Sequence, residues 1–542
     1  MFSQSRPFPI PLPWKLAIAL LIAVGVAFRF INLDGKVFWH DEVYTVVRAT
    51  GYNRQEIDAA LFQNQLVSVA ELQQFQTFKP GGTAADTVAS LRIENPHHPP
   101  LYSLLTRGWM QQFGTSITAA RSLAALLSLL ALPAMYGLAM ALFESRLAAL
   151  WATALLAVSP FDVLFAQTAR QYSLLTGLTI ISGWMLLRAL KRMDWPSWLV
   201  YGLVNAVGLY TQPFHLLAMV PQGIYVLLRQ FYIPPAQVRM GRARRPLVRP
   251  LPGFIGAIAL TLLMFLPWAW VLINNLDRVA SATTWTRYSP GFGALVRLWM
   301  LSFTSLFLDL DLGFDNPLTY LVRSPILILI GLALYTLVRR THPAVWLFVL
   351  LSAFVPFILL AIPDLVFGGR RSAISRYLIA CYPSMQLAMG FWLAQQMPFT
   401  PINRLRKPQP WRIGMIGLLL AGSIASLAVS AISNTWWSKD LSYFNAGIAE
   451  RINGLSSPIV VSDFGDEYTN TGDLISLSYE VTNSAQFLLV TQPPDLEAIA
   501  QNWNSETLLF RPSGPLRIAL ENNGWTINLL YPEGNLWTLD RE

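Results

Sequence analysis

Two adjacent carboxylates stand in Val37-Phe38-Trp39-His40-Asp41-Glu42-Val43-Tyr44-Thr45, a few positions beyond the first apolar run of the chain. Ionisable groups at a membrane edge are costly unless they face water or a partner, so Asp41 and Glu42 mark a functional site by default. The plain alternative is the solvated start of a loop. Next comes Asn95-Pro96-His97-His98-Pro99-Pro100-Leu101-Tyr102. Its paired prolines end a loop and fix the start of a helix, and His97 and His98 at that mouth can bind phosphate, ligate a metal or simply be solvated. In Ala166-Gln167-Thr168-Ala169-Arg170-Gln171-Tyr172-Ser173-Leu174, Arg170 is an always-charged fork of the kind that grips a phosphate. Gln171 and Tyr172 favour a polar pocket there over a snorkelling arginine. Gly368-Gly369-Arg370-Arg371-Ser372-Ala373-Ile374-Ser375-Arg376-Tyr377 gathers three more arginines. Asp309, Asp311 and Asp315 form an acidic loop that can hold a divalent cation, but their spacing is not that of an EF-hand and a solvated loop is the alternative.

A membrane protein must position these groups. Of 542 residues, 54% are hydrophobic and 13% charged, against roughly 25% charged in soluble domains. Apolar stretches near 14–31, 118–142, 147–164, 172–190, 197–211, 213–229, 252–273, 320–338, 343–362, 376–397 and 412–433 predict about eleven transmembrane helices. The net charge of +9 comes from basic residues collected in short loops, which orients a membrane protein and is no nucleic-acid footprint. The segments 144–146, 191–194, 239–249, 339–340 and 404–407, together with the N-terminus, fall to the cytoplasm, and Pro234 to Pro252 reads as a cytoplasmic linker near anionic lipid. An odd number of spans puts the C-terminus outside. Leu16 to Phe28, after Arg6 and Lys15, also suits a signal-peptide core. Its continuation through Arg29-Phe30-Ile31 favours an uncleaved anchor, and Asp41 lies outside either way. Arg370, Arg371 and Arg376 then violate the positive-inside trend, which calls for an anionic partner: a lipid-linked phosphate, or ordinary headgroups. The single Cys381 excludes an intramolecular disulfide.

The expected domains are a transmembrane region, 1–433, with the external loop 32–117 carrying the Asp-Glu pair, and a tail, 434–542. In the tail, Pro458 to Ser462, Gln486 to Val490, Leu508 to Phe510 and Trp525 to Tyr531 read as strands, with helices at Leu496 to Trp503 and Pro515 to Asn522. A small α/β domain outside the membrane is expected, without a Gly-rich nucleotide fingerprint.

Trp39 to Thr45, His98-Pro99-Pro100-Leu101-Tyr102 with Phe113-Gly114 and Arg121-Ser122-Leu123, Ala166 to Leu174, and Ser375-Arg376-Tyr377-Leu378 with Pro383 together resemble the successive motifs of bacterial multispanning GT-C glycosyltransferases. That family includes protein O-mannosyltransferases and lipid A aminoarabinose transferases. The resemblance covers roughly residues 14–400. It implies transfer of a sugar from a polyprenyl-phosphate donor, with inversion, to a lipid, glycan or protein acceptor at the outer face of a bacterial inner membrane. It further implies that Asp41 takes the acceptor proton, with Glu42 the weaker candidate because neighbours on a helix diverge by about 100°. Arginine would stabilise the departing phosphate, Arg170 first, with Arg370, Arg371 and Arg376 behind it; His97, His98, Tyr102 and Tyr172 join the substrate-binding set. Thr168, Gln171 and Tyr172 stand where relatives carry an acidic residue, with Asp162 the nearby acid that could take its place, so a second acidic role and a metal site stay open: no cofactor is called for, and a divalent cation is the alternative. The tail lacks lectin-like modules, which does not favour a protein acceptor. The alternatives are a transporter or flippase of lipid-linked saccharides, and an anchored polymer-binding module. Charges at span ends rather than at the midplane favour the enzyme over the first, and the outward arginines disfavour an inert anchor.

Overall fold

The computed structural model describes residues 10–231, 250–397 and 410–541, and the side chains of 410–413 are left aside. The N-terminal Arg6, most of the Pro234 to Pro252 linker with its arginines, and Arg404 to Lys407 lie outside the described residues. Among the described residues, six helices are long and apolar enough to cross a membrane: Ile117–Phe143, Tyr172–Arg192, Pro250–Ile273, Pro317–Arg340, Pro343–Phe367 and Gly414–Ser442. A seventh is the pair Arg146–Ala157 and Pro160–Ala166, bent by 55°. The bend has a local cause: Pro160 has no N–H to continue the helix, and Ser159 restarts it by accepting the Asp162 N–H at 3.4 Å. The other four expected spans fall on helices Leu12–Phe28, Trp195–Thr211, Leu216–Phe231 and Tyr382–Gln396, of 17, 17, 16 and 15 residues. These are shorter than the roughly 20 residues that a bilayer core asks for. The chain is an integral membrane protein with six or seven long apolar helices and a small β-rich C-terminal domain.

Two compact units divide the chain, the first comprising residues up to 31, 95–101 and 124–431. Within it, the Tyr172–Arg192 helix is the most enclosed, with 78% of its apolar window buried, against 22% for Pro250–Ile273. Helix Leu12–Phe28 packs tightly on Arg146–Ala157: a Cβ at Gly25 would lie 2.2 Å from the Ala157 carbonyl oxygen, so only glycine permits the approach. Just beyond, buried Arg29 donates to the carbonyls of Gly25 and Ala157 (both 2.6 Å) and Leu156 (3.1 Å), and to Ser128 Oγ (3.1 Å). The bend strands the last carbonyls of Arg146–Ala157, and the arginine supplies the donors they lose. Deeper in the same unit runs a buried polar network. Ser182 Oγ donates to Asn205 Oδ1 (2.8 Å) and Gln222 Oε1 (3.0 Å), Tyr201 donates to Gln222 Oε1 (2.8 Å), and His215 Nε2 meets Asn205 Oδ1 at 2.9 Å.

The second unit, residues 32–94, 102–123 and 432–542, is built on a six-stranded sheet. Its strands are β1 (Gln65–Ser68), β2 (Ile459–Ser462), β3 (Gln486–Leu489), β4 (Thr507–Phe510), β5 (Trp525–Tyr531) and β6 (Leu536–Arg541), in the order β1-β3-β2-β4-β6-β5. The central β3, β2 and β4 run parallel, which is why they read as continuous apolar runs. Val461, Leu488, Leu509, Leu516, Leu520 and Leu539 form their core with Ile499 and Trp525. The four expected tail strands and both helices are present, at Leu496–Asn502 and Gly514–Asn522. The sheet also takes β1 from the first loop, antiparallel to β3 with Gln65 opposite Leu489.

Candidate functional site

In the second unit, helix His40–Thr50 carries both carboxylates in its first turn and ends at Gly51, whose φ of 100° suits glycine. Negative charge in that turn complements the helix dipole, yet the two acids have different fates. Glu42 is wholly buried. Arg121 donates through Nε to Oε1 (2.8 Å) and through Nη2 to Oε2 (2.9 Å), and Oε2 also accepts from Lys439 Nζ (2.7 Å) and the Trp39 N–H (3.1 Å). Arg121 further donates to the carbonyls of Leu33, Lys36 and Val37 at 2.7 to 2.9 Å, fixing the approach to the helix. Burial works to raise the Glu42 carboxyl, but Arg121 and then Lys439 overcome it and hold it at about 2. A carboxyl so low is a weak proton acceptor. Lys36 is pushed down to about 8, by burial first and by the like charge of Arg121 second. Asp41, one residue earlier and about 100° round the helix, is half-buried. Beside it the His40 N–H donates to Ser442 Oγ (2.9 Å), which donates to Asp473 (2.6 Å), itself paired with Arg511. Tyr102 lies buried in the first turn of helix Leu101–Phe113, also in this unit.

The first unit holds His97, His98, Arg170 and Tyr172. The Trp268 indole donates to the Pro96 carbonyl at 3.0 Å and pins the histidine turn. His97 and His98 rings lie 4.4 Å apart. Arg170 Nη2 approaches His98 Nε2 at 3.4 Å, and the Gln171 amide meets His98 Nδ1 at 3.2 Å and Gln212 at 2.7 Å. An arginine can only donate, so His98 Nε2 is the acceptor in this contact. The Arg170 guanidinium lies 5.7 Å from the Tyr172 ring. Thr168 donates to the Leu164 carbonyl at 2.9 Å. Asp162 accepts from the Gln386 amide at 2.6 Å.

The three late arginines are divided. Arg371 pairs with buried Asp364 at 3.0 Å, and the other oxygen of Asp364 takes the Ser372 N–H at 2.6 Å. Arg370 and Arg376 instead lie 5.0 and 5.5 Å from one ring, that of Trp285. Tyr377, next to Arg376, packs on Phe214, two positions after Gln212, with the rings 4.4 Å apart. In the acidic loop, Asp309 pairs with Arg323 at 2.7 Å, and no group of three or more metal-ligating side chains occurs among the described residues. The sequence reading missed Lys439, which looks like an ordinary lysine at the end of an apolar run, and Trp285, one of 19 tryptophans with no pattern to single it out.

The model of the dolichyl-phosphate-mannose-protein mannosyltransferase family matches residues 97–270, less than half of the chain. Among solved structures, ArnT from Cupriavidus metallidurans bound to undecaprenyl phosphate aligns with a TM-score of 0.51 at 15% identity, over 97% of this chain and 98% of that one. The apo form of that protein gives 0.49 at 13% identity, with the same coverage. The Archaeoglobus fulgidus oligosaccharyltransferase tethered with an acceptor peptide gives 0.47 at 12% identity, over 88% of this chain and 64% of that one. No curated protein sequence matches. The chain is a polytopic membrane protein of GT-C-like fold, resembling several members of that group rather than one specific family.

Proposed function

We propose that this protein is a membrane glycosyltransferase that moves a sugar from a polyprenyl-phosphate donor to an acceptor hydroxyl, with inversion. The acceptor oxygen attacks the anomeric carbon as the bond from that carbon to the phosphate oxygen breaks. Asp41 takes the hydroxyl proton, and the lipid leaves as its phosphate monoester. Glu42, locked between Arg121 and Lys439, holds the Asp41 helix in place. Arg170, seated on His98 and Tyr172, faces the phosphate, as do Arg370 and Arg376. The observation that carries the reading is the seating of Arg170 by His98, in a fold shared with a structure that binds undecaprenyl phosphate. Reaction at the outer face, about eleven spans, a cytoplasmic N-terminus and an extracytoplasmic tail complete the proposal, and it calls on no metal. The acceptor is a lipid, glycan or protein.

The test is transfer of label from a panel of polyprenyl-phosphate sugars into lipid, glycan and protein fractions, with wild type and Asp41→Asn. Label entering one fraction with wild type alone supports the enzyme and the base; full transfer by Asp41→Asn removes the base. The buried network of Ser182, Tyr201, Asn205, His215 and Gln222 favours a second reading, a flippase of lipid-linked saccharides, because polar groups within spans mark pathways. Movement of a lipid-linked sugar between liposome leaflets, with no transfer from any donor, would establish it.

A further inference from the structure

Arg370 and Arg376 are six residues apart, yet both guanidinia come within 6 Å of the same indole, the separation at which a cation is attracted to an aromatic face. The arrangement is fixed by the backbone. The Arg370 N–H donates to the Thr286 carbonyl at 2.9 Å, tying the arginine to the residue after Trp285. Gly369, at φ 136°, lets the chain cross there: a Cβ on it would lie 2.6 Å from Asp364 Oδ1 and 3.0 Å from the Thr286 carbonyl oxygen. Asp364 is spent on Arg371 and the Ser372 N–H. Arg370 Nε is buried and meets no acceptor among the described residues, and a buried donor left unmatched asks for a partner. A guanidinium stacked on a ring can still use the N–H edge in its own plane to fork onto phosphate oxygens.

We propose that Trp285 is a positioning residue that holds Arg370 and Arg376 as a two-pronged clamp on the phosphate of the lipid-linked donor, an inference that rests on the transferase reading. Two guanidinia held at one ring converge on a single anion, which both can bind. The indole supplies the pre-set geometry, and Arg371 serves the loop rather than the ligand.

The test titrates full-length protein in detergent micelles with undecaprenyl phosphate, and with undecaprenol as the uncharged control. Trp285→Leu keeps an apolar side chain but removes the π face, and affinity for undecaprenyl phosphate falls about tenfold while undecaprenol binding holds. Trp285→Phe restores the phosphate lipid to within about threefold of wild type, and with a functional donor the change appears in KM rather than kcat. Arg370→Lys, which keeps the ring and the charge but not the fork, repeats the loss if the leucine variant fails to fold. Wild-type affinity for undecaprenyl phosphate in Trp285→Leu overturns the clamp, as does a parallel loss of both lipids. If wild type does not distinguish the two lipids, the transferase reading falls and the clamp falls with it.

Discussion

Glu42 sits among Arg121, Lys439 and Lys36, and its charge is what makes their burial tolerable. Replacing it by glutamine leaves buried cations uncompensated, at a cost of about 3–5 kcal/mol, read as a fall in unfolding midpoint. Its carboxyl is held at about 2 in the folded protein, below an unfolded value of about 4.3. The stabilisation is therefore fully present above the unfolded value and is lost as pH falls through about 2. An acid titration of stability should show a step over that window in wild type that is missing in Glu42→Gln. Asp41→Asn should do the reverse, abolishing transfer while lowering the unfolding midpoint less than Glu42→Gln does. The sequence showed the pair but not the division of labour, because Glu42's partner Lys439 lies 397 positions away. At the other cluster, His98 Nε2 seats Arg170. His98→Gln, which keeps an acceptor for the arginine, should retain more transfer activity than His98→Ala.

At the scale of elements, the least replaceable join is the one between helix Leu12–Phe28 and the bent pair. Arg29→Met strands the Leu156 and Ala157 carbonyls, and each buried acceptor left unmade costs about 1–3 kcal/mol. Gly25→Leu drives a side chain into the Ala157 carbonyl. Both should lower the unfolding midpoint in detergent, the first more than a conservative Arg29→Lys. Apolar runs of sufficient length announce a helix whatever surrounds them, so every expected span falls on a helix. The bend was hidden because the run from 147 to 164 stays apolar straight through Ser159-Pro160. Residues 376–381 likewise read as span but form tight turns around the arginines, since hydropathy does not register a backbone that must thread Gly368 and Gly369.

At the scale of the molecule, the second unit joins pieces from opposite ends of the chain. The tail strands were legible because parallel strands buried on both faces are continuously apolar. β1 was not: Gln65-Leu66-Val67-Ser68 is four residues long with a polar residue at each end, and nothing local says that it belongs beside Leu489. A fragment of residues 432–542 exposes the edge of β3 that β1 covers, and such an edge invites association. That fragment should self-associate by light scattering, and one with residues 60–94 fused to it should be monomeric.

The pairing of β1 with β3 also sets an order on biosynthesis. Residues 65–68 leave the ribosome more than four hundred positions before their partners, since Asn64 is bonded to Thr491 across a separation of 427. The stretch that bears Asp41 must wait, its sheet partner unmade, while the intervening helices are inserted. A nascent chain arrested before Gln486 therefore has its spans but not its finished head. Chaperones that guard unpaired strands have a long interval in which to act on this protein, and protease sensitivity around residues 60–70 should persist until residues 486–489 have been made.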